Sequence, residues 1–235
     1  MAKFPSESLL AQFVESSRPI EAVVFDLDGT LIDSEHITDR LMRKHLKAAG
    51  ISSQIMKLSQ FHGLTWGEIV NRFHSLAPDY SNQISVDALR ESFERELMLA
   101  EVKPIQDAVR FVSQASQHFR CVVASSSPRT TIAKALDRLQ IRSRIEFIVG
   151  EEDVEHSKPA PDPYLLAQTT LDLPPTRIIT FEDSDAGITA SMTAGMWTIG
   201  INRRKDWRSE PLEREPHLTI GTYADLPSEF CTMIR

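Results

Sequence analysis

A chain of 235 residues, 41% hydrophobic and 25% charged, has the make-up of an ordinary globular protein, long enough for one large domain or for a core with a smaller insert. Its formal net charge of -7 lacks the basic surplus of a duplex-binding protein, so nucleic acid is not an expected partner. No run approaches the roughly 18 apolar residues of a membrane span, and no membrane association is expected. The two cysteines, Cys121 and Cys231, form no Cys-x-x-Cys, which excludes a zinc ribbon or redox pair of that type. A reducing compartment, the cytoplasm, is the expected location.

The N-terminus lacks the basic start and continuous apolar centre of a signal peptide. Leu9, Leu10, Phe13 and Val14 recur there at helical spacing, which predicts a short amphipathic helix packed on the body. Ala22–Phe25 is the first predicted strand. From Glu35 to Val102 no strand is expected. Leu41, His45, Leu46 and Ala49 share one helical face ended by Gly50; Ile69, Val70 and Phe73 suggest another helix, and Leu89, Phe93, Leu97 and Met98 a third. Pro104 marks the return to the main body. Further strands are predicted at Phe119–Ala124, Ile145–Val149, Arg177–Phe181 and Trp197–Ile201, with helices near 107–118, 129–139, 163–171 and 185–194. Strands alternating with helices argue for an α/β fold with a parallel sheet covered on both faces.

In such sheets ligands bind beyond the carboxyl ends of the strands, and four segments there carry chemistry. Asp26-Leu27-Asp28-Gly29-Thr30 follows the first strand. Two carboxylates leaving a buried strand are costly unless paired or bound to metal, although Asp-Gly also opens many ordinary turns. Ser125-Ser126-Ser127 precedes a helix, where hydroxyls and free N–H groups make an anion site or simply an N-cap. Lys158-Pro159 lies in SKPAPDPY, with the proline holding the chain extended behind the lysine. Glu182-Asp183-Ser184 closes the fourth predicted strand and suits a hard cation as well as a helix cap. Singly each is weak; together, in this order and at strand ends, they are not.

The segments FDLDGTLIDSE, VVASSS, SKPAPDPYL and FEDSDAGITASMTAGM resemble the haloacid dehalogenase superfamily, nearest to its sugar-phosphate phosphatases and β-phosphoglucomutases. The resemblance implies a Rossmann-like core with a helical cap inserted after the first strand: an N-terminal extension at 1–20, core at 21–34 and 103–235, cap at 35–102. It implies Asp26 as nucleophile, Asp28 as general acid/base, and Ser125 and Lys158 as the phosphate clamp. Mg2+ would be held by Asp26, Asp28, Glu182 and Asp183. Ser126 and the cap-loop residues Gly63, Thr65 and Trp66 would contact substrate, a small phosphorylated metabolite, on a monomer or weak dimer. Dehalogenases of the superfamily lack the second aspartate, so Asp28 argues against that reaction. Mutases resembling this chain carry Val where Thr30 stands, His where Thr38 stands, and a cap-loop Arg where Trp66 stands. A phosphatase acting through an aspartyl-phosphate is therefore expected ahead of a phosphosugar mutase. A non-catalytic binding protein on the same fold is the alternative of another class, and the intact polar set counts against it.

Overall fold

The computed structural model describes residues 5–17, 19–52, 58–61, 66–81, 83–99, 103–202 and 214–235. The chain divides into two compact units, Met1–Asp33 with Lys103–Arg235, and Ser34–Val102. The first opens with α1 (Glu7–Ser17), β1 (Ala22–Phe25) and the two-residue β2 (Ile32–Asp33). The inserted unit holds α2 (Glu35–Ala48), a 3-10 turn at Leu58–Phe61, α3 (Trp66–Leu76), α4 (Pro78–Ser81) and α5 (Val86–Leu99). The first unit resumes with β3 (Lys103–Pro104), α6 (Gln106–Ala115), β4 (Arg120–Ala124), α7 (Arg129–Arg138), β5 (Phe147–Val149) and α8 (Asp162–Leu171). It ends with β6 (Ile178–Glu182), α9 (Asp185–Thr193), β7 (Trp197–Ile201), β8 (Leu218–Ile220) and α10 (Phe230–Met233).

Six strands form one parallel sheet in the order β5-β4-β1-β6-β7-β8. The chain steps outward from β1 to β4 and β5, then crosses to the other side of β1 for β6, β7 and β8. That reversal leaves a crevice beyond the carboxyl ends of β1, β4 and β6, the place where doubly wound sheets bind ligands. Strands β1 and β6 are buried at every position, which is why neither shows the alternation of a half-exposed strand and β1 reads as a continuous apolar run.

Alternate residues of β1 face different layers. Ala22 and Val24 join a core of mostly small side chains with Ala124, Ala167 and Ala190, closed by Tyr164 of α8. On the other face Phe25 stacks on Phe181 at 5.5 Å, and Phe111 of α6 lies 5.0 Å from Phe181 and 5.1 Å from Tyr223. Helix α1 joins this aromatic layer: Phe13 meets Trp197 edge-on at 5.8 Å and stacks on Phe230 at 6.5 Å. The N-terminal helix thus packs on the body through Phe13 and Val14, while Leu9 stays 45% exposed.

The inserted unit has no strand among its described residues. Helix α2 buries Leu41, Met42 and Leu46 and ends at Gly50, whose φ of +70° suits the left-handed position after a helix. Phe61 stacks on Phe73 at 5.6 Å, and His45 Nδ1 and the Tyr80 hydroxyl are 2.8 Å apart. Among the described residues no helix is long and apolar enough to cross a membrane.

Three strands escape the sequence reading. The antiparallel pair β2–β3, Ile32 opposite Pro104 and Asp33 opposite Lys103, is two residues long and contains a proline, so no alternation can develop. Strand β8 has three residues and forms because β7 offers a free edge, pairing Ile199 with Leu218 and Ile201 with Ile220. Three predicted strands start late: Phe119 precedes β4, Ile145 precedes β5, and Arg177 ends a 3-10 turn before β6.

Phe111 joins α6 to the sheet and to the C-terminal segment, so Phe111→Ala should destabilise the fold by about 3–5 kcal/mol. Urea unfolding followed by circular dichroism measures this; a loss below about 1 kcal/mol would mean that the aromatic layer collapses around the gap.

Candidate active site

The polar residues of the first unit converge at the carboxyl edge of the sheet. Asp26 directly follows β1, and its backbone N–H donates to the Phe181 carbonyl at 3.0 Å, holding the start of the loop against β6. Gly29 turns the loop with a φ of +78°, and a Cβ there would lie 1.8 Å from Asp183 Oδ2. Glycine is therefore required twice over, for the left-handed backbone and for the approach to Asp183. Gly187 in the first turn of α9 has the second of these constraints alone, since its Cβ would fall 1.9 Å from the Glu182 carboxyl carbon. Ser184 caps α9, accepting the Gly187 N–H at 3.0 Å, and its hydroxyl reaches Glu182 Oε2 at 3.3 Å.

Lys158 is the hub. Its Nζ donates to Asp26 Oδ1 at 2.7 Å, to the Ala124 carbonyl at 2.9 Å and to Glu182 Oε1 at 2.6 Å. The Lys158 side chain is 5% exposed and that of Glu182 fully buried. The Lys158–Pro159 peptide bond is cis. Tyr164, fully buried one helical turn into α8, donates its hydroxyl to the same Glu182 Oε1, and Lys158 Nζ lies 5.1 Å from its ring centre. Burial opposes a charge on Lys158, but Asp26 and Glu182 overcome it and hold its pKa well above the usual lysine value.

The serine segment contributes unequally. Ser125 is buried, and its Oγ accepts the Ser127 N–H at 3.1 Å. Ser127 is buried too, and its hydroxyl donates to Asp28 Oδ2 at 3.1 Å. Ser126 lies exposed between them. Gly63 and Thr65 fall outside the described residues; Trp66 lies at the start of α3, 5.2 Å from the Phe93 ring.

Oxygen atoms of Asp26, Glu182 and Asp183 lie within 4.8 Å of one another. Burial first, and then Glu182 and Asp28, raise the Asp26 carboxyl to about 7 against the pull of Lys158. Asp183 is raised well above the carboxylate range by burial first and then by Asp26, Glu182 and Asp28. Four carboxyl groups around one ammonium leave an excess of negative charge, and the donors are all hard oxygens. That set fits Mg2+, with Asp26, Glu182 and Asp183 each offering an oxygen; both oxygens of Glu182 also accept hydrogen bonds within the protein.

Two residues of this constellation are absent from the sequence reading as individuals. Ser127 was only the third of three serines, and nothing in the run separates the one that reaches Asp28 from the exposed one. Tyr164 occupies an inward helical position, where an aromatic is expected for packing alone; its hydroxyl partner is on a strand 18 residues away.

A loop carrying two aspartates after the first strand, a lysine hub and an acidic pair at the end of β6 thus converge at one edge of a doubly wound sheet. The family model of the haloacid dehalogenase-like hydrolases matches residues 23–201, and the chain belongs to that family. Over 188 residues it is 31% identical to a fructose-1-phosphate phosphatase of Escherichia coli, covering 76% of this chain and 95% of that one. A phosphorylated carbohydrates phosphatase of Thermotoga maritima is 26% identical, with 77% and 84% covered. Among solved structures, a conserved haloacid dehalogenase-like protein of unknown function from Agrobacterium tumefaciens superposes with a TM-score of 0.70 at 26% identity, over 92% of this chain and 100% of that one.

The raised Asp26 sets a pH dependence. Unfolded, the carboxyl ionises near 3.8; folded without metal, near 7. Between these values the folded form holds the extra proton, so stability falls as pH rises through that window. The metal-free protein, in chelator, should melt at a lower temperature at pH 8 than at pH 5. Asp26→Asn should flatten part of that fall, with Asp183 supplying the rest, and Mg2+ should stabilise more at pH 8 than at pH 5 because its binding displaces protons. Equal melting temperatures at both pH values in chelator would contradict this.

Proposed function

We propose that the protein is a Mg2+-dependent phosphatase that hydrolyses a small phosphorylated carbohydrate through an aspartyl-phosphate on Asp26. The chain is a phosphoric monoester hydrolase of the haloacid dehalogenase type. The observation that carries the reading is the Lys158 bridge between Asp26 and buried Glu182, inside a carboxylate cluster suited to a divalent cation. The names of the Escherichia coli and Thermotoga maritima relatives support a carbohydrate substrate.

Asp26 and Asp183 would hold Mg2+, with the backbone carbonyl of Asp28 as a further oxygen. When bound, the ion offsets the repulsion between the Asp26 carboxylate and a phosphate dianion. Lys158 neutralises a second phosphoryl oxygen, and Ser125 and neighbouring N–H groups receive a third. The Asp26 carboxylate attacks phosphorus, the ester P–O bond breaks, and Asp28 gives its proton to the leaving alkoxide. Asp28, now ionised and oriented by the Ser127 hydroxyl, takes a proton from water. The hydroxide formed attacks the acyl phosphate, releasing inorganic phosphate and restoring Asp26.

A panel of sugar and polyol phosphates assayed with Mg2+ for phosphate release tests the reading. At least one should be hydrolysed. Chelator should stop the reaction, and Asp26→Asn should remove activity while circular dichroism stays that of a folded protein. Turnover by folded Asp26→Asn within tenfold of wild type would sink the nucleophile assignment. Isomerisation of a hexose 1-phosphate to the 6-phosphate with little free phosphate would replace hydrolysis by phosphoryl migration. Failure to release phosphate from any ester, generic aryl phosphates included, would favour a binding protein.

A further inference from the structure

We infer that Tyr164 is a positioning residue for the phosphate-binding lysine: its hydroxyl shares Glu182 Oε1 with Lys158, and so keeps Glu182 from absorbing the whole lysine charge. The inference rests on the phosphatase reading above. All three Nζ protons of Lys158 are committed within the protein, to Asp26, Ala124 and Glu182. To serve a phosphoryl group, Lys158 must turn its Asp26 contact outward while Ala124 and Glu182 anchor it from behind.

A fully buried carboxylate with a single buried cation beside it would hold that cation as tightly as its solvation demands. Glu182 is out of reach of bulk solvent, which would otherwise soften the pull. The Tyr164 hydroxyl supplies a neutral donor to the oxygen that Lys158 uses, and Ser184 supplies one to the other oxygen. With part of the Glu182 charge satisfied by hydroxyls, more of the ammonium field is left for an anion on the open side. The Tyr164 ring needs no such partner to be where it is: it closes the small-residue core beside Ala124 and Ala167, so a phenylalanine would pack equally well. The hydroxyl is therefore separable from the fold.

Tyr164→Phe separates the two. Loss of the hydroxyl strengthens the negative field of Glu182, which should weaken anion binding and leave Mg2+ binding unchanged or tighter. Calorimetric titration with inorganic phosphate at saturating Mg2+ should show about a tenfold loss of phosphate affinity, the effect of one hydrogen bond to a charged group. Titration with Mg2+ alone, followed by thermal shift, should give a dissociation constant equal to or below that of wild type. Parallel weakening of phosphate and Mg2+ would mark a packing role and overturn the inference, as would unchanged affinity for both. The wild-type titration keeps the two proposals apart: a wild type that binds no phosphate in Mg2+ overturns the phosphatase reading and this inference with it, whereas normal wild-type binding with an unaltered Phe variant overturns this inference alone.

Discussion

Four carboxyl groups meet one buried ammonium at the carboxyl edge of the sheet, and the rest of the first unit is arranged around that charge imbalance. Burial first, and then the neighbouring carboxylates, lift Asp26 to about 7 and Asp183 well above its ordinary value. The site is destabilising in itself. It persists because the loops that form it have no freedom to relax: Gly29 and Gly187 bring backbone where any side chain would strike Asp183 or Glu182, and Ser184 locks the first turn of α9.

The stability that offsets this cost lies behind the site. Strands β1 and β6 are buried throughout, with small side chains and Tyr164 on one face and interlocking phenylalanines on the other. The aromatic layer ties α1, α6 and α10 to the sheet far from the chemistry. The small-residue layer lets α8 approach closely enough for Tyr164 to reach Glu182. One face is thus mainly for rigidity, and the other carries support from the core into the active site.

Specificity must come from elements other than this shared machinery. The polar set handles the phosphoryl group, which is common to every phosphate ester, and says little about the leaving alcohol. The inserted helical unit has its own core around Phe61, Phe73 and Leu89. Within it, Trp66 packs near Phe93, so at least part of its indole serves that core. The relatives from Escherichia coli and Thermotoga maritima are named for fructose 1-phosphate and for phosphorylated carbohydrates respectively; the two names differ in the carbohydrate they specify.

The sequence by itself determined the α/β class, the central strands and the family. Ala22–Phe25 and Trp197–Ile201 are legible because buried parallel strands are rich in apolar and β-branched residues, and Asp-x-Asp-Gly-Thr and Glu-Asp-Ser are legible because they follow such strands. Beyond that, the tertiary structure decided. β2, β3 and β8 exist only because a partner strand is present, and no local pattern marks a strand of two or three residues. Of three consecutive serines, only the packed backbone shows that Ser127 turns to Asp28 while Ser126 faces outward. Tyr164 looks like a core aromatic in the sequence, and its hydroxyl gains a role only where α8 and β6 bring it to Glu182. Propensity and periodicity act between near neighbours in the chain; the side-chain hydrogen bonds that join Tyr164 to Glu182 and Lys158 to Asp26 link residues 18 and 132 positions apart.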